Sequence, residues 1–453
     1  MKKIITILIA ALMASNTLCY AETLPQEDFK VVGYYSGDLF NEPLENLQTD
    51  KLTHVIYAFL IPKQDGTLEE LKDPEELEKL TEKAHGDGAR VFAALGGWSY
   101  EGKVLEPVFR EAASSDETRK KLVDSVCEFA EKYNLDGVEL DWEHPNKDTI
   151  EMYEKLAVEL SQALRANGKE LTAALNGAWS KTAGPEVSGL ITQECLDSFS
   201  FINVMAYDIN NDNHSPYWFS ETSIDYWLNR GVEKEDIVLG MPLYARPSWL
   251  QYRHLVAKDE SYAFTDYAPT LPLASYYNGM NTLKEKTKLA MRKAGGVMLF
   301  DVNEDTNDSY SIVSMIDSLL EQTKGYTKQE LDSFITVLIG GREVYFSVDD
   351  GLGIPFINSD NRTMIPLRKS LETIGASVEY DNTTRTVIAV KGDTTVRIPI
   401  GQKQLVVNGQ VSQEDTAAVI MEDRTYIPLR SVMKAFGYSV DYHDSSRTVI
   451  VSN

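Results

Sequence analysis

From residue 29 to about 324, short apolar runs alternate with longer amphipathic ones. The short runs are Lys30 to Tyr35, Leu52 to Leu60, Arg90 to Leu95, Gly137 to Trp142, Leu171 to Asn176, Phe199 to Tyr207, Ile237 to Tyr244 and Gly296 to Phe300. Such alternation is the mark of a parallel sheet with helical crossovers. The stretches between the runs carry helix punctuation: Ser114 with Glu117 as a capping box, and Gly168 as a stop after Tyr153 to Ala166. Eight strands with helices between them predict an α/β fold, a (β/α)8 TIM barrel.

The pattern changes at Lys324-Gly325, and the remainder predicts a smaller α+β domain, residues 331–453, rich in strands with two short helices. It contains an internal repeat. Asn361 to Val390 aligns without gaps to Asp423 to Ser452 at an offset of 62, with 14 of 30 positions identical. Both copies hold Ile-Pro-Leu-Arg, at 365–368 and 427–430, and both hold Arg-Thr-Val-Ile, at 385–388 and 447–450. Each copy reads as turn, helix and hairpin, and duplication predicts that the two pack together.

Composition narrows the function. The chain has 453 residues, 43% hydrophobic and 25% charged, the balance of a protein with a sizeable core. Its net charge of −25 would repel a polyanion, which excludes nucleic acid as a partner. Lys2 and Lys3, the apolar Ile4 to Met13 and the approach to Cys19-Tyr20-Ala21 read as a signal peptide over residues 1–21. The expected product is secreted and extracellular, with its first domain spanning 22–324 and no membrane attachment once the signal is removed. Cys127 and Cys195, both in apolar-periodic surroundings, are expected as buried thiols instead of a disulfide framework.

One strand carries chemistry. In Leu135-Asp-Gly-Val-Glu-Leu-Asp-Trp-Glu143, alternation puts Glu139, Asp141 and Glu143 on one face, and Val138 and Leu140 on the face toward the helices. An acidic strand on a solvated face would not have bulky apolar residues at every even position. Inward carboxylates roughly 7 Å apart in a poor dielectric push one pKa upward. At the strand's end, Glu143 is therefore expected as a general acid.

This segment resembles the signature of the glycoside hydrolase family 18 chitinases, here Asp136-Gly137-Val138-Glu139-Leu140-Asp141-Trp142-Glu143. Four further stretches fit: Leu95-Gly96-Gly97-Trp98, Met205-Ala206-Tyr207-Asp208, Gly240 to Arg246, and Gly295 to Met298. The resemblance implies substrate-assisted, retaining hydrolysis of β-1,4-linked N-acetylglucosamine polymers, without a cofactor. Glu143 would protonate the glycosidic oxygen while the sugar's 2-acetamido oxygen attacks the anomeric carbon. Asp141 would orient the acetamido N–H, Tyr207 would hold its carbonyl, and Glu139 would complete the catalytic set. Trp98, Met205, Asp208, Tyr244, Arg246, Phe300, Tyr34 and Phe59 are the substrate-binding residues it implies.

Four positions depart from the family pattern: Glu139 for an Asp, Ala94 for a Ser, Ala245 for a Gly, and Phe300 for the Trp expected beneath the −1 sugar. Two alternatives stay open, an inactive carbohydrate-binding relative and an endo-acting enzyme on N-glycans or peptidoglycan. The 50 residues from 245 to 294 must also hold a helix from Thr282 to Lys293, which leaves little room for an extra cleft wall and predicts an open groove. Trp98, Trp179, Trp218, Tyr217 and Trp249 follow strand ends, as sugar platforms or as core aromatics.

Asp301 to Asn307 has oxygen ligands at alternate positions, as in a calcium loop. Thr306 and Ile312 stand where that loop needs Gly and Glu, so the segment reads as a turn whose Asn307 or Asp308 caps the last barrel helix. The six histidines show no paired ligand spacing, and no metal site is expected. The tail resembles the domain named for the N-terminal region of copper amine oxidases. With His443 its only histidine and no cysteine, copper is not expected. It reads as a cell-wall association module or as a passive appendage.

Overall fold

The computed structural model describes residues 28–37, 43–346, 353–443 and 447–452, so the expected signal peptide lies outside the described residues. Strands β1 (Lys30–Tyr35), β2 (His54–Leu60), β3 (Arg90–Gly97), β4 (Gly137–Trp142), β5 (Glu170–Asn176), β6 (Ile202–Met205), β7 (Ile237–Pro242) and β8 (Gly296–Phe300) close into a parallel barrel in which β8 pairs with β1. Each arises from one of the eight apolar runs. The sixth is shorter than its run: Phe199 caps the helix Gln193–Ser198, and Ala206 donates back to the Val204 carbonyl at 2.8 Å, which ends the ladder.

Alternation along each strand feeds two cores. Val138, Leu140 and Trp142 face the helices, where Trp142 stacks on Phe109 with ring centroids 4.8 Å apart. Inside the barrel, Val32, Ile56, Phe92, Phe201, Val238 and Met298 form a small apolar plug with the Tyr34 ring. Toward the strands' C-terminal ends, carboxylates and the rings of Phe59, Tyr207 and Phe300 take over.

Two helix caps differ from expectation. The helix Asp116–Lys132 starts at Ser115, whose Oγ accepts the Thr118 N–H at 3.1 Å. Ser114 instead closes the preceding helix Glu106–Ala113. Burying Leu122, Val126 and Ala130 against the barrel sets that frame, so Glu117 falls one place short of the capping-box position. The helix Ile312–Gln322 is capped by Ser311, with Asp305 accepting the Ile312 and Val313 N–H groups at 2.9 Å each. Asp308 turns away, to the Tyr310 N–H. Between β7 and β8 the helix runs Met280–Lys293. Before it, Arg246–Pro247, Ser275–Tyr276 and Tyr267–Ala268 form a small antiparallel sheet.

Beyond the barrel, helix Lys328–Ser333 places Leu331, with the following Phe334, in the barrel's outer core, and Ile335 and Val337 open a second core. The contact continues at Lys284 Nζ, 2.9 Å from Thr336 Oγ1 and 3.1 Å from Glu343 Oε1. In the smaller domain, strands Thr363–Pro366 and Arg424–Pro428 pair antiparallel with Ile365 opposite Ile427. Those two residues are equivalent in the repeat, so the copies do pack together, about a local twofold axis. Among the described residues no helix is long and apolar enough to cross a membrane.

Candidate active site

β4 delivers the acidic residues. Its register against β3 sets Glu139 beside Ala94 and Asp141 beside Gly96. Gly96 has φ +129, and a Cβ there would lie 2.1 Å from the Asp141 carbonyl oxygen, so the close approach of β3 to β4 requires glycine. Gly97, at φ +92, opens room for the Phe59 ring, and a register shift in β2 between Ala58 and Leu60 brings that ring to the inner cluster.

The carboxylates differ in their surroundings. Glu139 is fully buried, and both oxygens are taken: the Tyr34 hydroxyl donates to Oε1, the Thr172 hydroxyl to Oε2, and Asn203 Nδ2 to both at 2.9 Å. Burial raises its pKa and these donors oppose the rise. Asp141 is also buried, but its Oδ1 has no hydrogen-bond partner. Burial, then the charges of Glu143 and Glu139, hold it well above the ordinary carboxylate range. Glu143 keeps 19% of its side chain exposed, and burial, with the charge of Asp208, pushes it up to about 7. His144 Nε2 lies 3.5 Å from Glu143 Oε2, and burial lowers the His144 pKa.

Across the barrel mouth, Asp208 is tied down. Tyr244 donates its hydroxyl to Oδ2 at 2.8 Å, and Arg246 reaches Oδ1 at 3.0 Å. The buried His214 Nδ1 lies 3.1 Å from Oδ1. Burial raises the Asp208 pKa, but these three partners outweigh it and leave it lowered. Tyr207 packs face to face on Phe300 at 6.2 Å, and Tyr34 meets Phe300 at 5.4 Å. Burial, then Glu143 and Asp141, raise the Tyr207 pKa, so its hydroxyl stays a donor. Met205 ends β6 on the inward parity of Asn203, which also faces the barrel interior.

The mouth is rimmed with rings. Trp98 is 55% exposed, its ring 5.9 Å from His144. Trp249 is 61% exposed, stacked on Tyr244 at 5.5 Å and covered by the Arg246 guanidinium at 4.1 Å. Trp179 and Trp218 are exposed too, so none of the four is a core aromatic. Tyr217 is half-buried and accepts from Arg292 on a barrel helix. The sequence reading missed Thr172, Asn203 and His214. The first two are single polar residues at inward positions of apolar runs, and that parity is the signal that could have found them. Cys195 is buried and Cys127 partly so, both free. Among the described residues no cluster of three or more His, Cys, Asp or Glu is placed to hold a metal.

Residues 30–305 match the model of glycosyl hydrolases family 18, and residues 340–451 that of the copper amine oxidase N-terminal domain. The probable chitinase 10 of Drosophila melanogaster is 29% identical over 258 residues, 48% of this chain and 11% of that one. The chain spans about half the length, or less, of the curated relatives it matches first. Among solved structures, the GH18 chitinase ChiB of Flavobacterium johnsoniae is 26% identical with a TM-score of 0.58, over 66% of this chain and 95% of that one. A GH18 chitinase of Cycas revoluta in complex with (GlcNAc)3 shares the fold at 21% identity and a TM-score of 0.55, over 64% and 98%. With the barrel, the β4 carboxylates and a family match across most of its length, this chain belongs to glycosyl hydrolases family 18.

Proposed function

We propose that this protein is a secreted chitinase-type glycosidase that cleaves β-1,4-linked N-acetylglucosamine polymers with the sugar's own acetamido group as nucleophile. The observation that carries the reading is how the carboxylates are bonded. Glu139 has both oxygens engaged by Tyr34, Thr172 and Asn203, and Asp208 is held by Tyr244, His214 and Arg246. Asp141 lies on β4, two residues before Glu143, which directly follows that strand. None is free to attack an anomeric carbon from across a sugar. Glu143, part-exposed and raised to about 7, is the group able to give a proton near neutrality.

In the proposed step, Glu143 protonates the glycosidic oxygen as the C1–O bond breaks, and the acetamido oxygen closes on C1 to give an oxazolinium ion. Asp141 accepts the acetamido N–H with its unpartnered Oδ1, and Tyr207 donates to the acetamido oxygen. Water then attacks C1, Glu143 takes its proton, and the acetamido group reopens with retention. The (GlcNAc)3 bound in the Cycas revoluta relative supports this substrate class. Phe300, with Tyr207 and Tyr34, forms the floor for the sugar.

Glu143→Gln should fold normally and lose hydrolysis of chitooligosaccharides by about 10² to 10⁴. The β-anomer should form first by NMR, and a thiazoline mimic of the oxazolinium ion should inhibit competitively. Equal turnover by wild type and Glu143→Gln would sink the enzyme reading in favour of a lectin. A trapped glycosyl ester on Asp141 or Glu139 would sink the mechanism. Products from N-glycoproteins or peptidoglycan, with none from chitin, would change the substrate. Export rests on the Lys2 to Ala21 segment, and the secreted protein should begin at Glu22 by N-terminal sequencing. The smaller domain we assign to attachment, holding the barrel on insoluble polymer or cell wall.

A further inference from the structure

The local twofold axis between Ile365 and Ile427 has a consequence for the surface of the smaller domain. Each copy lays its first strand beside the helix and hairpin of the other, and two clefts form where the copies meet. Their volumes are about 430 and 240 Å³, and most of their lining residues correspond at the offset of 62. In the larger, Leu429, Arg430, Tyr442 and Val449 of the second copy face Arg362 and Thr363 of the first. In the smaller, Leu367, Arg368, Tyr380 and Val387 of the first copy face Arg424 and Thr425 of the second. The backbone repeats as well: Asn361 and Asp423 have φ 56 and 62, and Arg385 and Arg447 have φ 51 and 49.

Each cleft thus has three parts. Buried aliphatic side chains, Leu429 and Val449 or Leu367 and Val387, make the floor. A tyrosine stands beside it, Tyr380 at 38% exposed and Tyr442 half-buried. The third part is an exposed guanidinium, Arg430 or Arg368, and neither makes a hydrogen bond or ion pair among the described residues. The charged lining of each cleft is mainly basic: Arg362, Arg430 and Arg447 against Asp415 in the larger, and Arg368, Lys369 and Arg424 against Glu379 and Asp423 in the smaller. Across the larger cleft, Arg362 Nε is fixed by Asp415 at 2.6 Å, which orients a second guanidinium on the rim. Residues 331–453 carry twelve Lys and Arg against fifteen Asp and Glu, a net of −3 in a chain of −25, so this domain repels an anion least.

We propose that the twin clefts bind an acidic glycan, one carboxylated sugar per cleft, with the ring's C–H face on the tyrosine and the carboxylate on Arg430 or Arg368. A planar guanidinium fits a carboxylate through two parallel N–H···O bonds, and a flat ring beside an aliphatic floor fits a pyranose face. Two such sites on one rigid frame favour a repeating polymer, because the second contact is intramolecular. The inference rests on reading this domain as an attachment module, and it names the ligand class and the side chains.

The test uses the full chain with tetragalacturonate as the carboxylated probe and its methyl ester as the neutral one. Calorimetric titration should find two equivalents of tetragalacturonate per chain and at least tenfold weaker binding of the ester. Arg430→Gln and Arg368→Gln should each leave one equivalent, and the double variant none, while turnover of chitooligosaccharides stays at the wild-type rate. Arg430→Lys, which keeps the charge without the fork, should restore part of the lost affinity. Undiminished binding by the double variant, equal binding of the ester, or no binding at millimolar probe would overturn the clefts. Retention of the double variant on insoluble polymer at the wild-type level would keep the domain an attachment module and still overturn these sites.

Discussion

Single side chains decide how this barrel divides its labour. The acidic residues of β4 were legible in the sequence because strand parity is strict and their apolar neighbours fill the other face. Their partners Thr172 and Asn203, and His214 beside Asp208, were not read, since each is an isolated letter whose meaning depends on the element opposite. Glu143 should give the rate profile its alkaline limb. In the proposed mechanism its proton is needed for catalysis, so kcat/KM should fall as pH rises through about 7, and a limb only above pH 9 would remove Glu143 from the acid role. The same group bears on stability. A carboxyl raised from 4.5 to about 7 holds its proton more tightly folded than unfolded, so stability is lost as pH rises across that window. Glu143→Gln should match wild type at pH 4 and exceed it at pH 8, by up to about 3 kcal/mol, read from urea melts at both pH values. Thr172→Val removes one donor from the buried Glu139 at constant shape and should cost about 1–3 kcal/mol, with a smaller loss counting against a charged Glu139.

At the level of elements, the eight strands followed from apolar runs because a strand buried on both faces leaves little else for a sequence to encode. Helix starts were harder to read. Ser114 and Ser115 are adjacent, and only the packing of Leu122 and Val126 on the barrel chooses between them. Ser115→Ala should therefore cost about 1 kcal/mol in a denaturant titration, while Ser114→Ala should cost a few tenths. Equal costs would mean that the frame is not set by the buried face. The irregularity in β2 was invisible as well. Nothing in His54 to Leu60 distinguishes Phe59 from its neighbours, yet the register shift there turns its ring toward Gly97.

Across the whole molecule, the boundary between the two cores falls later than the change in sequence pattern at Lys324-Gly325. Tyr326, Leu331 and Phe334 belong to the barrel's outer core, although they follow that change. Their spacing is too short to reveal a helical face, and only the tertiary contact assigns them. A chain cut after Lys324 should hydrolyse soluble oligosaccharides but melt several degrees below one cut after Phe334, since each buried side chain is worth about 1.5–3 kcal/mol. Calorimetric scans of the two would decide it, and identical melting temperatures would show that the three residues contribute nothing to the barrel. The repeat, in contrast, was legible from identity alone, including the packing of its copies.

The pairing of Ile365 with Ile427 also says something about descent. Neither copy completes the central sheet alone, for each pairs its first strand with that of the other. The repeated part of the smaller domain thus has the arrangement of a homodimer whose two copies share one chain, and gene duplication with fusion is the route the geometry suggests. An ancestor with one copy would have assembled in pairs through the same strands. A peptide carrying a single copy should accordingly sediment as a dimer when folded and lose its structure on dilution, whereas a stable folded monomer would show that the symmetry arose after the copies were already independent.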